Sequence, residues 1–92
     1  KKSPRRAHVA AKHRVIMVFG DNFGDFVDGY KGDMAARQAL YEKHADMWGR
    51  KWFMLANPTY GSWESAAFGH DWRKPGPERR QMKRDALEAW QP

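Results

Sequence analysis

The chain has 92 residues, enough for one small domain with a single core, and its five Trp, five Phe and three Tyr exclude a compositionally disordered polymer. It contains no cysteine, which excludes a disulfide framework, a zinc ribbon and a thiol nucleophile, and leaves the redox compartment open. The formal net charge of +6 is carried by the ends: residues 1–14 hold six basic and no acidic groups, residues 15–71 five basic and eight acidic, and residues 72–92 six basic and three acidic.

In chain order, Ser3-Pro4 reads as a helix start, with a hydroxyl to cap and a proline in the first turn, and the alanines that follow predict a helix over 4–13. Val15–Phe19 (VIMVF) is apolar throughout and rich in branched residues, the pattern of a strand covered on both faces. Gly20 ends it, and residues 20–32, with four glycines and three aspartates, predict a loop with a short helical turn. Asp33 caps a second helix whose apolar residues Met34, Leu40, Tyr41, Met47 and Trp48 should face the sheet, with Gly49 as its stop.

Lys51–Ala56 (KWFMLA) predicts a second buried strand, ended by Asn57-Pro58. Residues 57–77 hold three prolines and three glycines and predict loop, with a helical turn around Ser62–Phe68. From Pro77 to Trp90 the spacing of Met82, Ala86 and Trp90 is helical again. This alternation points to an α/β fold with a parallel sheet, although two strands make a poor sheet and a stable one needs more. There are no internal repeats, no apolar run of membrane-spanning length and nothing resembling a signal peptide at the N-terminus. The chain begins at Lys1 and not at a methionine, which reads as a processed product or a piece of a longer protein.

The segment VFGDNFGDF at residues 18–26 carries the chemistry. In open α/β sheets functional groups collect at the carboxyl ends of strands, and Asp21 stands two residues beyond the first strand. Its carboxylate suits Mg²⁺, which keeps several waters and takes one or two carboxylates together with phosphate oxygens. Asp25, one turn further on, fits a supporting role, holding a metal-bound water or orienting its neighbour. Both aspartates equally fit turn formation or helix capping, and spacing alone does not separate the two readings.

GDNFGDF, preceded by KSPR and VIMVF and followed by FMLANPTYGSWE, resembles the C-terminal part of the class C acid phosphatases. These are bacterial enzymes of the haloacid dehalogenase superfamily that include the lipoprotein acid phosphatases and 5'-nucleotidases. The resemblance runs from Lys2 to Trp90, with three separated motifs in order. It implies that the chain, 1–92, is a single C-terminal segment of a haloacid-dehalogenase-like (Rossmann-like) phosphatase domain, incomplete in its sheet. It also implies Asp21 as a ligand of Mg²⁺, Asp25 as its support, and Lys2 as the catalytic lysine that holds the phosphoryl group, with Lys1 beside it open to the same assignment. Tyr60 matches an aromatic that contacts substrate by stacking on a nucleotide base, and Asn57 shapes that substrate-binding loop. The family usually has a leucine where this chain has Phe23, an apolar exchange.

The superfamily's mechanism further requires an aspartate nucleophile and a general acid–base two positions later, and no D-x-D occurs in the chain. The resemblance therefore implies Mg²⁺-dependent hydrolysis of phosphomonoesters, including nucleoside 5'-monophosphates, through an aspartyl-phosphate in a longer parent. The 92 residues alone are then inactive, and the N-terminal part of the parent is their partner. An exported location in the periplasm, outer membrane or exterior is inherited from the same likeness, and a homo-oligomer stays open.

The alternative reading is a small basic nucleic-acid-binding module, for which RKPGPERRQMKR at residues 73–84 is the best case. Its latter half has an apolar helical stripe, which favours a solvated charged face. The histidines at 8, 13, 44 and 70 form no zinc spacing and read as surface or helix-face residues. Trp63, beside Tyr60, fits packing or binding.

Overall fold

A computed structural model describes residues 2–88. Helix α1 spans Ser3–Ala10, with Pro4 in the first turn where its missing N–H has no intrahelical partner to lose. It is shorter than the predicted 4–13, and Lys12 and His13 donate to the Val9 carbonyl in a closing turn. Ser3 is not its cap. Lys2 holds the cap position without its side chain capping the helix, while the Ser3 hydroxyl donates to Asp28 Oδ1, a partner 25 residues away that no local pattern could reveal.

Strand β1 (Val18–Gly20) pairs in parallel with β2 (Trp52–Met54), Val18 opposite Trp52, Phe19 opposite Phe53 and Gly20 opposite Met54. The ladder is flanked by Val18 N–H to the Lys51 carbonyl at 2.8 Å and Leu55 N–H to the Gly20 carbonyl at 2.7 Å. The mixed α/β class with a parallel sheet agrees with the sequence reading. The expected burial of both strands does not: Val15, Ile16, Met17 and Phe19 are 46–60 % exposed, and Met54 and Leu55 about half exposed. A two-stranded ladder has open faces, and α1 and α2 (Met34–Lys43), which bury none of their own residues, lay no apolar stripe across them.

The core sits beside the sheet. Phe23, Phe26 and Val27, from the loop after β1, are buried against Val18, Tyr30, Leu40, Trp48 and Trp52. Trp48 is the hub, with ring centroids 5.0 Å from Phe26, 5.3 Å from Trp52, 5.5 Å from Tyr41 and 5.8 Å from Phe23. That hub explains why α2 ends at Lys43 and not at Trp48. Leaving the helix at His44 and turning through Met47 and Gly49 (φ +74°) brings the indole of Trp48 onto Trp52, and aromatic burial outweighs another turn of helix. Of the predicted α2 stripe, Leu40 joins the core while Met34 and Tyr41 stay about half exposed. Asp33 does cap the helix, accepting from Ala36 N–H at 2.8 Å.

Helix α3 (Ser62–Ala66) falls where a helical turn is expected, and Ser65, Ala66 and Phe68, the last only 1 % exposed, are buried there. His70, in a left-handed conformation at φ +60°, is half-buried. Its Nδ1 lies 2.7 Å from Ser65 Oγ and its Nε2 3.1 Å from the Gly32 carbonyl, tying α3 to the segment before α2. Helix α4 covers Gly76–Asp85, shorter than the predicted 77–90, and Trp90 lies outside the described residues. Among the described residues no helix is long and apolar enough to cross a membrane.

Candidate active site at the carboxyl end of the sheet

The loop that follows β1 is shaped by its own side chains. Asn22 starts a 3₁₀ turn, Phe23–Asp25, closed by reciprocal caps: Asn22 Oδ1 accepts from Gly24 N–H at 3.2 Å, and Asp25 Oδ2 accepts from Asn22 N–H at 3.0 Å. The same oxygen accepts from Asp21 N–H at 3.2 Å. Asp25 therefore folds back beneath the end of β1, and Gly20 makes the room. A Cβ at position 20 would stand 2.5 Å from Asp25 Cβ and 2.7 Å from Oδ2.

Lys2 completes this arrangement from the start of α1. Its ammonium pairs with Asp25 Oδ1, the carboxylate being only 13 % exposed and the lysine side chain 61 %. Burial is the strongest single influence on Asp25 and pushes its carboxyl up. The Lys2 bond and the N–H groups of Asn22 and Asp21 together outweigh it, and hold the group below its ordinary 3.8. Lys2 is raised above 10.5, chiefly by its bond to Asp25. Both partners stay ionised over a wide pH range.

Asp21 projects from the loop as an exposed residue. Its Oδ2 accepts from Asn57 Nδ2 at 3.2 Å, and its carbonyl from the same nitrogen at 3.4 Å. Asn57, just past β2, also donates from Nδ2 to the Tyr60 carbonyl at 2.9 Å, and its Oδ1 accepts from Thr59 and Tyr60 N–H at 3.1 and 3.4 Å. Its amide is thus engaged within the protein, where it shapes the loop and links it to Asp21. Tyr60 is 72 % exposed.

Lys2, Asp25, Asp21, Asn57 and Tyr60 form one continuous chain of contacts across the carboxyl ends of both strands. Four of them border two clefts, Asp21 and Asn57 one and Lys2 and Tyr60 the other, with Asn22 and Glu64 common to both walls and Asp25 in neither. One, of about 900 Å³, is bordered by Asp21, Asn57 and Trp63 among apolar side chains. The other, of about 710 Å³, is bordered by Lys2 and Tyr60 with Tyr30, Lys31 and Trp72. Lys1 lies outside the described residues.

Among the described residues no three His, Cys, Asp or Glu side chains gather around one point as a complete metal cage. Asp21 nevertheless fits a hard cation that is held by a single protein carboxylate and completed by water and phosphate oxygens. Asp25, already tied to an ammonium and two N–H groups, fits support and not ligation.

Sequence reasoning missed several members of the assembly. Asn22 carries a legible signal, the capping spacing N-F-G-D. Ser62 Oγ donates to Asn22 Oδ1 at 2.8 Å and accepts from Arg37 Nη1 at 3.0 Å, and Arg37 lies 5.3 Å over the Phe23 ring. Burial pushes the Arg37 guanidinium below its ordinary value. These contacts join residues 25 and 40 apart and leave no local pattern. In the basic 73–84 stretch, Arg73, Lys74 and Lys83 pair with Asp71, Glu78 and Glu64, and Arg79, its Nε buried, stacks on Phe68 and Trp72.

Residues 1–63 match the family model of the HAD (haloacid dehalogenase) superfamily, subfamily IIIB (acid phosphatase). Among solved structures, the class C acid phosphatase from Bacillus anthracis superposes with a TM-score of 0.82 at 28 % identity, over 98 % of this chain and 38 % of that one. The same enzyme with tungstate bound gives a TM-score of 0.83 at 28 % identity, with the same coverage of 98 % and 38 %. The chain thus spans 38 % of the length of the solved structures it matches.

Proposed function

The chain belongs to the HAD superfamily, subfamily IIIB, the acid phosphatases, and from that premise we propose that it is the C-terminal segment of a Mg²⁺-dependent phosphomonoesterase. One observation carries the reading: an exposed carboxylate, Asp21, and a lysine–carboxylate pair, Lys2 and Asp25, are tied to one loop at the carboxyl end of a parallel strand. Mg²⁺, when bound, would neutralise charge on the phosphoryl oxygens.

Asp21 would be the ligand in this segment, with Asn57 fixing the direction of its carboxylate and Asp25 holding its N–H. The Lys2 ammonium would face the phosphoryl group as a positive charge already in place before charge develops, which is the economical arrangement for transition-state stabilisation. Tyr60, exposed on the Asn57 loop, would offer its ring to the leaving group, a nucleoside base being the flat partner that suits it. The nucleophile and the general acid–base would come from the rest of the parent protein, with reaction through an aspartyl-phosphate, and the 92 residues alone would not turn over substrate.

The test is phosphate release from a nucleoside 5'-monophosphate by the full-length protein, with Mg²⁺ and with a chelator. Asp21→Asn is expected to lower kcat/KM by about 100-fold or more while leaving the fold intact. Full activity in that variant would remove the metal assignment.

A further inference from the structure

Most helices are located by an apolar stripe, worth roughly 25 cal/mol for each Å² removed from water. α1 has no buried residue, so other contacts fix its place against the Asp21 loop. Three side chains from its beginning reach residues 24–28. Lys2 and Ser3 meet the carboxylates of Asp25 and Asp28, and Arg6 Nη1 donates to the carbonyls of Gly24 at 3.1 Å and Asp25 at 2.9 Å.

The three contacts differ in rigidity. Lys2 carries its ammonium on a flexible four-carbon stem and is 61 % exposed, and the partner of Ser3, Asp28, is exposed as well. Arg6 is half-buried, and its planar guanidinium grips backbone oxygens, which no side-chain rotation can carry away. Its Nη2 also reaches Ser3 Oγ at 3.4 Å. Asp25 is consequently held at both ends, its carboxylate by Lys2 and its carbonyl by Arg6. Lys2 and Arg6 are four residues apart on one side of the helix, with Arg6 N–H donating to the Lys2 carbonyl at 3.0 Å. A guanidinium fixed to the Asp25 carbonyl therefore fixes how far the start of α1 stands from the Asp25 carboxylate. Arg6 borders neither cleft.

We propose that Arg6 is a positioning residue for phosphoryl transfer: by gripping the carbonyls of Gly24 and Asp25 it sets where the Lys2 ammonium stands, without touching substrate. The inference rests on the phosphatase reading above.

A double-mutant cycle in the full-length protein tests it, with kcat and KM measured for wild type, Arg6→Ala, Lys2→Ala and the double variant. Arg6→Ala is expected to lower kcat/KM by roughly 10- to 100-fold. In the Lys2→Ala background the same change is expected to matter by less than about twofold, because the group it positions is already gone. Arg6→Lys, which keeps one donor and the charge, is expected to fall between wild type and Arg6→Ala, and replaces alanine in the cycle if that variant does not fold. Lys12→Ala, beyond the end of α1, is the control expected to match wild type. Additive losses in the cycle would overturn the role of Arg6 while leaving the phosphatase reading in place. Absence of phosphomonoesterase activity in the wild-type protein would overturn both.

Discussion

Asn57 holds Asp21 by two atoms at once, its Nδ2 lying 3.2 Å from the carboxylate and 3.4 Å from the carbonyl of the same residue. The two residues come from the ends of neighbouring strands, so this amide joins the loop after β1 to the loop after β2.

Removing that link should loosen both loops. Under the metal role proposed for Asp21, Asn57→Ala is expected to weaken Mg²⁺ activation of the full-length protein by about 10- to 100-fold, the usual effect of losing a partner that orients a metal ligand. Asn57→Asp should be worse than alanine, since it sets a second carboxylate 3.2 Å from the first. The measurement is the Mg²⁺ concentration for half-maximal activity, and unchanged values in both variants would exclude a role for the link.

Gly20→Ala should destabilise the site by contact alone. The added methyl would meet Asp25 Cβ at 2.5 Å, and Asp25 cannot retreat without releasing Lys2 and the N–H groups of Asp21 and Asn22. A loss of about 1–3 kcal/mol is expected, typical of overpacking, read by chemical denaturation. Gly49→Ala differs in cause, because nothing lies within 4 Å of its added methyl and its φ of +74° alone disfavours a side chain.

The Lys2–Asp25 pair predicts a pH dependence with a definite sign. Asp25 is depressed in the folded chain, so its contribution to stability is present above 3.8 and is lost as pH falls through its lower folded value. Lys2 is raised, so its contribution is present below 10.5 and is lost as pH rises through its higher folded value. Denaturation midpoints followed downward from about pH 6 should fall more steeply in wild type than in Asp25→Asn, because only the wild type must protonate that carboxylate to unfold. Parallel curves for the two proteins would remove the pair from the acid limb.

Trp48→Ala should be the most damaging single change in the core. Its ring touches Phe23, Phe26, Tyr41 and Trp52, and a loss of about 3–5 kcal/mol is expected from so large a deletion. Small domains hold only about 5–15 kcal/mol in total, so circular dichroism should record a large fall in the melting midpoint.

What was legible in the sequence is what local chemistry controls. The Asp33 cap, the order of helices and strands and the parallel pairing follow from capping residues and apolar runs within a few positions of each other. Asp21, Asp25 and Lys2 stand out by motif resemblance, and the structure brings all three into one hydrogen-bonded assembly. The illegible parts are tertiary. Ser3 could not be seen to abandon its cap for Asp28, nor α2 to stop early for the Trp48–Trp52 contact, nor Arg6 to reach carbonyls 18 and 19 residues away. The exposure of the strand residues is illegible for a different reason. An apolar run predicts something to be covered, and it does not say that the cover lies within the same 92 residues.

The polar docking of α1 makes ionic strength a lever on the site. At physiological salt, charges are screened over about 8 Å, and an ammonium that is 61 % exposed feels this far more than the aromatic cluster does. Added salt should therefore weaken the hold of the Lys2 ammonium on Asp25 while the rings around Trp48 stay packed, and loss of order would begin at the first turn of α1.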